Sequence, residues 1–209
     1  MSTPPLTPTV ATSARTSDAP AASPSTRTGT TGLWKGRSPA GAADAVWVPL
    51  ISGVLTIAAG AMSLATGTPW LFAGLGPTAI MIAASPGHPT TRFHAIVVGY
   101  LAAFICAWLA LLLLGAGGSP TILSGRSLPV VRVWASGLAI ALTALVMPSL
   151  RAYHPPAGAM ALLVTLGVYR ITWKISASLL AGVLLVALLG EWFQRIRLAE
   201  RASSSVATG

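Results

Sequence analysis

The sequence predicts an all-α membrane protein, a compact helical bundle of four to six membrane segments. Hydrophobic side chains make up 54% of the 209 residues and charged ones 8%, against about 25% charged in an ordinary soluble domain. Mean hydropathy is +0.74. The only acidic residues are Asp18, Asp44, Glu191 and Glu200, so none lies between 45 and 190. That excludes paired-carboxylate hydrolysis, carboxylate metal sites and most proton relays. The 13 basic residues stand singly at the ends of apolar runs, which sets topology in a membrane protein and does not make a nucleic-acid surface. One cysteine, Cys106, lies within an apolar segment, which excludes a disulfide framework.

Residues 1–43 are mostly Ser, Thr, Pro, Ala and Gly, with Arg15, Arg27, Lys35 and Arg37. Such a stretch has too few large apolar side chains to offset the entropy of ordering and reads as a disordered tail. Its Ser-rich, acid-poor character also fits an organellar transit peptide, whereas the lack of an apolar core excludes a secretory signal. The membrane domain covers 44–197, and 198–209 reads as a short polar C-terminal tail.

Six segments fill the membrane domain, at about 46–66, 69–85, 93–115, 131–148, 156–169 and 172–193. A spanning helix needs about 20 apolar residues. The third and sixth reach that length and are rich in Leu. The first ends at Gly67, Thr68 and Pro69; the fourth follows Arg126 and has Arg132 at its start. The second and fifth are short and interrupted, by Pro77 and by Pro155, Pro156 and Gly158. Each is therefore a broken or re-entrant helix, a form tolerated in a bilayer only against protein or a water-filled cavity. Trp47, Trp70, Trp134, Trp173 and Trp192 fall near segment ends, as an interfacial belt predicts. Trp108 does not, and is expected to pack between helices.

A shift of 79 positions places Pro69 on Pro148, Pro77 on Pro156 and Met81 on Met160, carrying segments one to three onto four to six. Two three-segment repeats follow from it. Three crossings per unit make the halves inverted, the arrangement in which transporters hold substrate between broken helices. Re-entrant short segments instead leave two crossings per half and parallel repeats. In either case nine basic residues fall on the side of the termini and four on the other, so both termini are expected in the cytoplasm.

His154-Pro155-Pro156-Ala157-Gly158-Ala159 opens segment five. Consecutive prolines remove N–H donors, so a helix begins at or after them, and small residues then let a ligand or partner backbone approach. The first free N–H groups, at Ala157, Gly158 and Ala159, would form an anion site. Gly76-Pro77-Thr78-Ala79 is the counterpart in segment two, with the Thr78 hydroxyl added. The competing reading is that Pro and Gly only kink and pack these helices.

These motifs, with Pro86-x-His88-Pro89-x-x-Arg92-Phe93 and Val98-Gly99 between them, resemble the HPP family of integral membrane proteins over about 44–197. The resemblance implies a small helical membrane protein, commonly described with four spanning helices and regarded as a transporter, with plant and cyanobacterial-type members linked to nitrite. Some members carry a soluble CBS pair after the membrane part, for which the remaining residues are too few. Relatives often have His where Tyr100 stands and Asn near Ala95, so a polar contact on segment three is expected to be lost or moved to His94.

Arg92 is either a topological anchor or a residue that draws anions. His94 reads as an interfacial histidine first and a ligand second, His88 as structural, and Met81 and Met160 as core. His154 precedes the helix start and has the strongest case for function. Three separated histidines make no metal site, and neither a metal nor a cofactor is assigned. The function these features favour is transport of a small inorganic anion, nitrite first. The partners expected are the lipid bilayer, the anion and further copies of the chain in a homo-oligomer, without nucleic acid. The location is a bacterial plasma membrane. The alternative is a non-transporting membrane scaffold or subunit of a larger complex. An enzyme is not expected, because no nucleophile stands beside a base.

Overall fold

Six helices follow one another as α1 (Ala42–Thr66), α2 (Leu75–Ala84), α3 (Phe93–Leu113), α4 (Val130–Ser149), α5 (Gly158–Thr165) and α6 (Trp173–Ala207) in a computed structural model. It describes residues 42–207 apart from Arg126 and Arg170, with backbone alone at 42, 43 and 204–207. The tail expected over 1–43 thus lies, but for Ala42 and Ala43, outside the described residues. Helices α1, α3, α4 and α6 are long and apolar enough to cross a membrane; α2 and α5 are shorter. Each helix falls on a predicted segment, α6 running well past the end predicted at 193. Their outward faces carry Leu64, Ile57, Trp134, Leu145 and Leu113, each well exposed, as a bundle solvated by lipid requires.

The short helices start where local sequence lets them. Gly67, at φ 63°, closes α1 in the left-handed region, and its N–H returns to the Ser63 carbonyl. This is the usual glycine stop. Pro77 falls in the first turn of α2, where a missing N–H costs little. Pro155–Ala157 form a 3₁₀ turn that leads into α5. The helix of segment five was expected at or after its prolines, and α5 starts at Gly158; α2 starts at Leu75, inside the segment expected over 69–85 and two residues before Pro77.

Contacts at the helix ends fix the direction of each segment. Asp44, at the start of α1, pairs with Arg197 and Arg201 near the end of α6, and Gly87 donates its N–H to Gln194 Oε1 at 2.9 Å. These residues mark one end of the bundle, here the proximal end. At the other, distal end the Ile122 N–H reaches the Leu166 carbonyl at 3.1 Å, and Arg132 binds the carbonyls of Ser119, Pro120 and Thr165. At 1.5 Å per residue the 25-residue α1 extends about 37 Å, enough to reach from end to end. The stretch 67–84 therefore returns the chain from distal to proximal, and 150–165 carries it from proximal to distal. The halves α1–α3 and α4–α6 share a long–short–long order and run in opposite senses, as the inverted form of the repeat requires.

Helix α3 is the hub, buried along Ala95, Ile96, Gly99, Tyr100, Ala103, Cys106, Ala107 and Ala110. This alanine-rich stripe lets α4, α5 and α6 approach closely. Two expectations need correction. Trp108 does not pack between helices but is 50% exposed. Residues 198–207 do not form a tail but continue α6. Good helix formers (Leu198, Ala199, Glu200, Arg201, Ala202) keep the helix going, and Arg197 pairs with both Glu200 and Asp44.

Candidate functional site

Where the two interrupted segments meet, they bury a polar cluster. Thr78 on α2, Tyr100 on α3 and His154 ahead of α5 are all at 0% exposure. His154 Nδ1 lies 2.8 Å from the Thr90 carbonyl. A carbonyl can only accept, so Nδ1 carries the proton. No carboxylate among the described residues pairs with this ring, and an unpaired imidazolium is costly when buried; the ring is neutral. Its Nε2 then accepts, and the Thr78 hydroxyl, 2.9 Å away, donates to it. That commits the Thr78 hydrogen and leaves the Gly74 carbonyl to the Tyr100 hydroxyl at 2.6 Å. The Tyr100 ring also packs 5.5 Å from the imidazole and 5.7 Å from Phe72, centroid to centroid.

The backbone around the cluster leaves no room for side chains. A Cβ on Gly99 would lie 3.0 Å from both the Ala152 carbonyl and the His154 Cβ. On Gly74 it would meet the Tyr100 hydroxyl at 3.0 Å and Ala159 at 3.3 Å. At both glycines the two halves of the bundle come into close contact around the cluster.

The site residues expected from sequence separate into groups. Thr78 and His154 are joined directly; Ala79 and Ala157 are buried beside them, Gly76, Pro156, Gly158 and Ala159 half-buried, and Pro77 and Pro155 exposed. The N–H groups expected to be free are in part occupied. Ala157 N–H donates to the His154 carbonyl, and Gly158 N–H to the carbonyls of Pro155 and Pro156. The 3₁₀ turn imposed by the prolines uses donors that an abrupt helix start would have left open. Arg92 and His94 are exposed and lie in a separate proximal groove of about 530 Å³ with Glu191, Gln194 and Arg195. The polar contact on α3 is neither lost nor moved to His94, because Tyr100 makes it.

Three residues stayed unnoticed in the sequence. Gln194 fastens the 85–92 turn by accepting from Gly87 N–H and donating to the Thr91 carbonyl, both at 2.9 Å. Gly74 supplies the carbonyl that Tyr100 needs. Arg132, counted from sequence only as an end charge, is 3% exposed and lines a distal cavity of about 710 Å³ with Trp108, Gly117, Gly118, Gly167 and Tyr169. A lone polar residue within an apolar segment, as at 100, or at the edge of one, as at 132 and 194, was the available signal.

The family model of the HPP transmembrane region matches residues 38–203. No curated protein and no solved structure matches the chain. The match spans all six helices and both interrupted segments that build the buried cluster, so the chain belongs to the HPP family of integral membrane proteins.

Proposed function

We propose that the protein moves a small inorganic anion across the bilayer, with nitrite as the leading cargo, and that it is not an enzyme. One observation carries this reading. Among the described residues the acids Asp44, Glu191 and Glu200 all pair with arginines at the proximal end, while the buried cation of Arg132 stands at the distal end with no carboxylate beside it. A bundle with no carboxylate in its interior and a buried cation at one mouth favours anions over cations. The inverted halves, each with an interrupted segment, add the framework on which transporters rock. Cytoplasmic termini, a bacterial plasma membrane and assembly into a homo-oligomer belong to the same proposal.

Full burial of Thr78, Tyr100 and His154 favours the second reading, a scaffold whose interrupted segments serve packing alone. Uptake of labelled nitrite into liposomes that contain only this protein separates the two. Uptake above protein-free liposomes that saturates with nitrite supports transport. Uptake equal to the protein-free control supports the scaffold.

A further inference from the structure

We propose that the distal cavity around Arg132 is a binding site for a small monovalent inorganic anion, an entry vestibule that concentrates the cargo before it crosses. The proposal takes its cargo from the transport reading above; the binding itself is testable without transport.

Arg132 sits in the first turn of α4, and its guanidinium is held in one pose. Nε donates to the Pro120 carbonyl at 2.7 Å, Nη1 to the Thr165 carbonyl at 2.6 Å and Nη2 to the Ser119 carbonyl at 2.8 Å. A guanidinium has five N–H hydrogens, so Nη1 and Nη2 each keep one beyond these bonds. The three partners are neutral dipoles. They orient the group and soften its burial but leave its full positive charge in place. A buried arginine is ordinarily matched by a carboxylate. Among the described residues none reaches Arg132, since all three acids lie at the proximal end. The chain has no acid between 45 and 190, and Arg126, Arg170 and Lys174 border the same loops in sequence. Among the described residues the charges at this end, Arg132 and Lys174, are both positive. The positive half-charge of the α4 N-terminus adds to that of Arg132 instead of opposing it.

The cavity suits a hydrated ion. Its 710 Å³ is far more than a bare inorganic anion fills; at ~30 Å³ per water it also holds the ion's hydration shell. Gly117 and Gly118 form part of its wall, and a Cβ on either meets nothing within 4 Å. Gly167, at φ 72°, lies against the guanidinium, where a Cβ would be 3.0 Å from Nη1. Glycine there brings the backbone onto the arginine. Trp108 and Tyr169 supply further walls. A fixed cation in a wide cavity, its charge already shared with three carbonyls, binds weakly and releases readily, as an entry site must.

The test uses purified full-length protein in lipid-free neutral detergent. Thermal unfolding is followed as sodium nitrite replaces sodium gluconate at constant ionic strength. The wild type is expected to gain roughly 3–6 °C at a nitrite concentration about ten times Kd. Gly118→Glu places a carboxylate at the cavity without touching the bonds of Arg132, and is expected to abolish the nitrite-dependent rise. Gly53→Leu, on α1, keeps it. No rise in the wild type, or an equal rise in Gly118→Glu, overturns the site, as does a rise produced by added phosphatidylglycerol but not by nitrite. Arg132→Gln is expected to lose the rise too; if it fails to fold, Gly118→Glu decides alone. Binding that Gly118→Glu removes, in a protein that moves no nitrite into liposomes, leaves the site standing and rejects transport. Nitrite uptake without a wild-type rise does the reverse.

Discussion

The Thr78 hydroxyl and His154 Nε2, 76 positions apart in the chain, meet at 2.9 Å inside the bundle. This one bond joins the two interrupted segments, and with it the two inverted halves. Thr78→Val keeps the shape of the side chain and removes the donor, so Nε2 is left buried and unpaired. That costs about 1–3 kcal/mol. Thermal unfolding in detergent is expected to fall for Thr78→Val and to stay near wild type for Thr78→Ser. Equal stability of all three would mean that the bond contributes nothing.

The extended stretch after α1 is held by a second device. Ser63 Oγ donates to the Ala59 carbonyl and accepts the N–H groups of Trp70 and Leu71 at 3.0 and 2.8 Å. Backbone donors left free by the broken helix are thus satisfied without water. Ser63→Ala leaves the Leu71 N–H unpaired and the Trp70 N–H with the Thr68 carbonyl alone, at a cost of about 1–3 kcal/mol. A melting temperature unchanged from wild type would count against this account of the break.

Gly182 on α6 lies directly under that stretch, and a Cβ there would run into the Trp70 carbonyl. Backbone cannot yield as a flexible side chain can. Gly182→Ala is expected to destabilise by about 1–3 kcal/mol or more. Gly137→Ala, where a Cβ meets nothing within 4 Å, is expected to be neutral or slightly stabilising, since alanine favours helix. The two substitutions are compared by thermal unfolding in the same detergent, and equal melting temperatures would remove the close approach as a cause.

Segment positions were legible because apolar length and proline placement are local properties. Where α2 begins was not legible, because a proline is tolerated in a first turn and so does not mark the helix start, whereas Pro155 and Pro156 hold α5 back to Gly158 as expected. Tyr100, Gln194 and Arg132 were legible only as oddities. Their partners are Gly74, Thr91 and the carbonyls of 119, 120 and 165. Those carbonyls belong to the backbone and leave no trace in residue identity. The continuation of α6 was hidden for a related reason, since Asp44, which helps to hold it, lies 153 positions from Arg197.

Gly158 borders the buried cluster at the start of α5, and a Cβ there would come 3.4 Å from Ile140 Cδ1. A small residue fits; a branched one fills the space between α4 and α5. If cargo passes where the interrupted segments meet, Gly158→Leu abolishes nitrite uptake into liposomes while the protein still inserts. Gly53→Leu, whose Cβ meets nothing within 4 Å, retains uptake. Equal losses in the two variants would point to general packing damage and away from a path beside His154.

The direction of the interrupted segments decides how many times the chain crosses. Because 67–84 runs from the distal to the proximal end, the 85–92 turn is expected on the same side of the membrane as the end of α6. Gly87 N–H to Gln194 and Gln194 to the Thr91 carbonyl place it there. If the short segments were re-entrant, the turn would lie on the opposite side from that end. Single cysteines at His88, Gly118 and Ser203 test this in a Cys106→Ser background. His88 is preferred to Gly87, whose φ of 80° would strain any side chain. Both His88 and Ser203 are exposed, as is Gly118 in the distal loop. A membrane-impermeant thiol reagent added to one face is expected to label 88 and 203 together and 118 only from the other face, which means six crossings. Labelling of 118 together with 203, and of 88 from the opposite face, would mean four crossings and parallel halves. In that case the inverted relationship between α1–α3 and α4–α6 would not survive in the membrane.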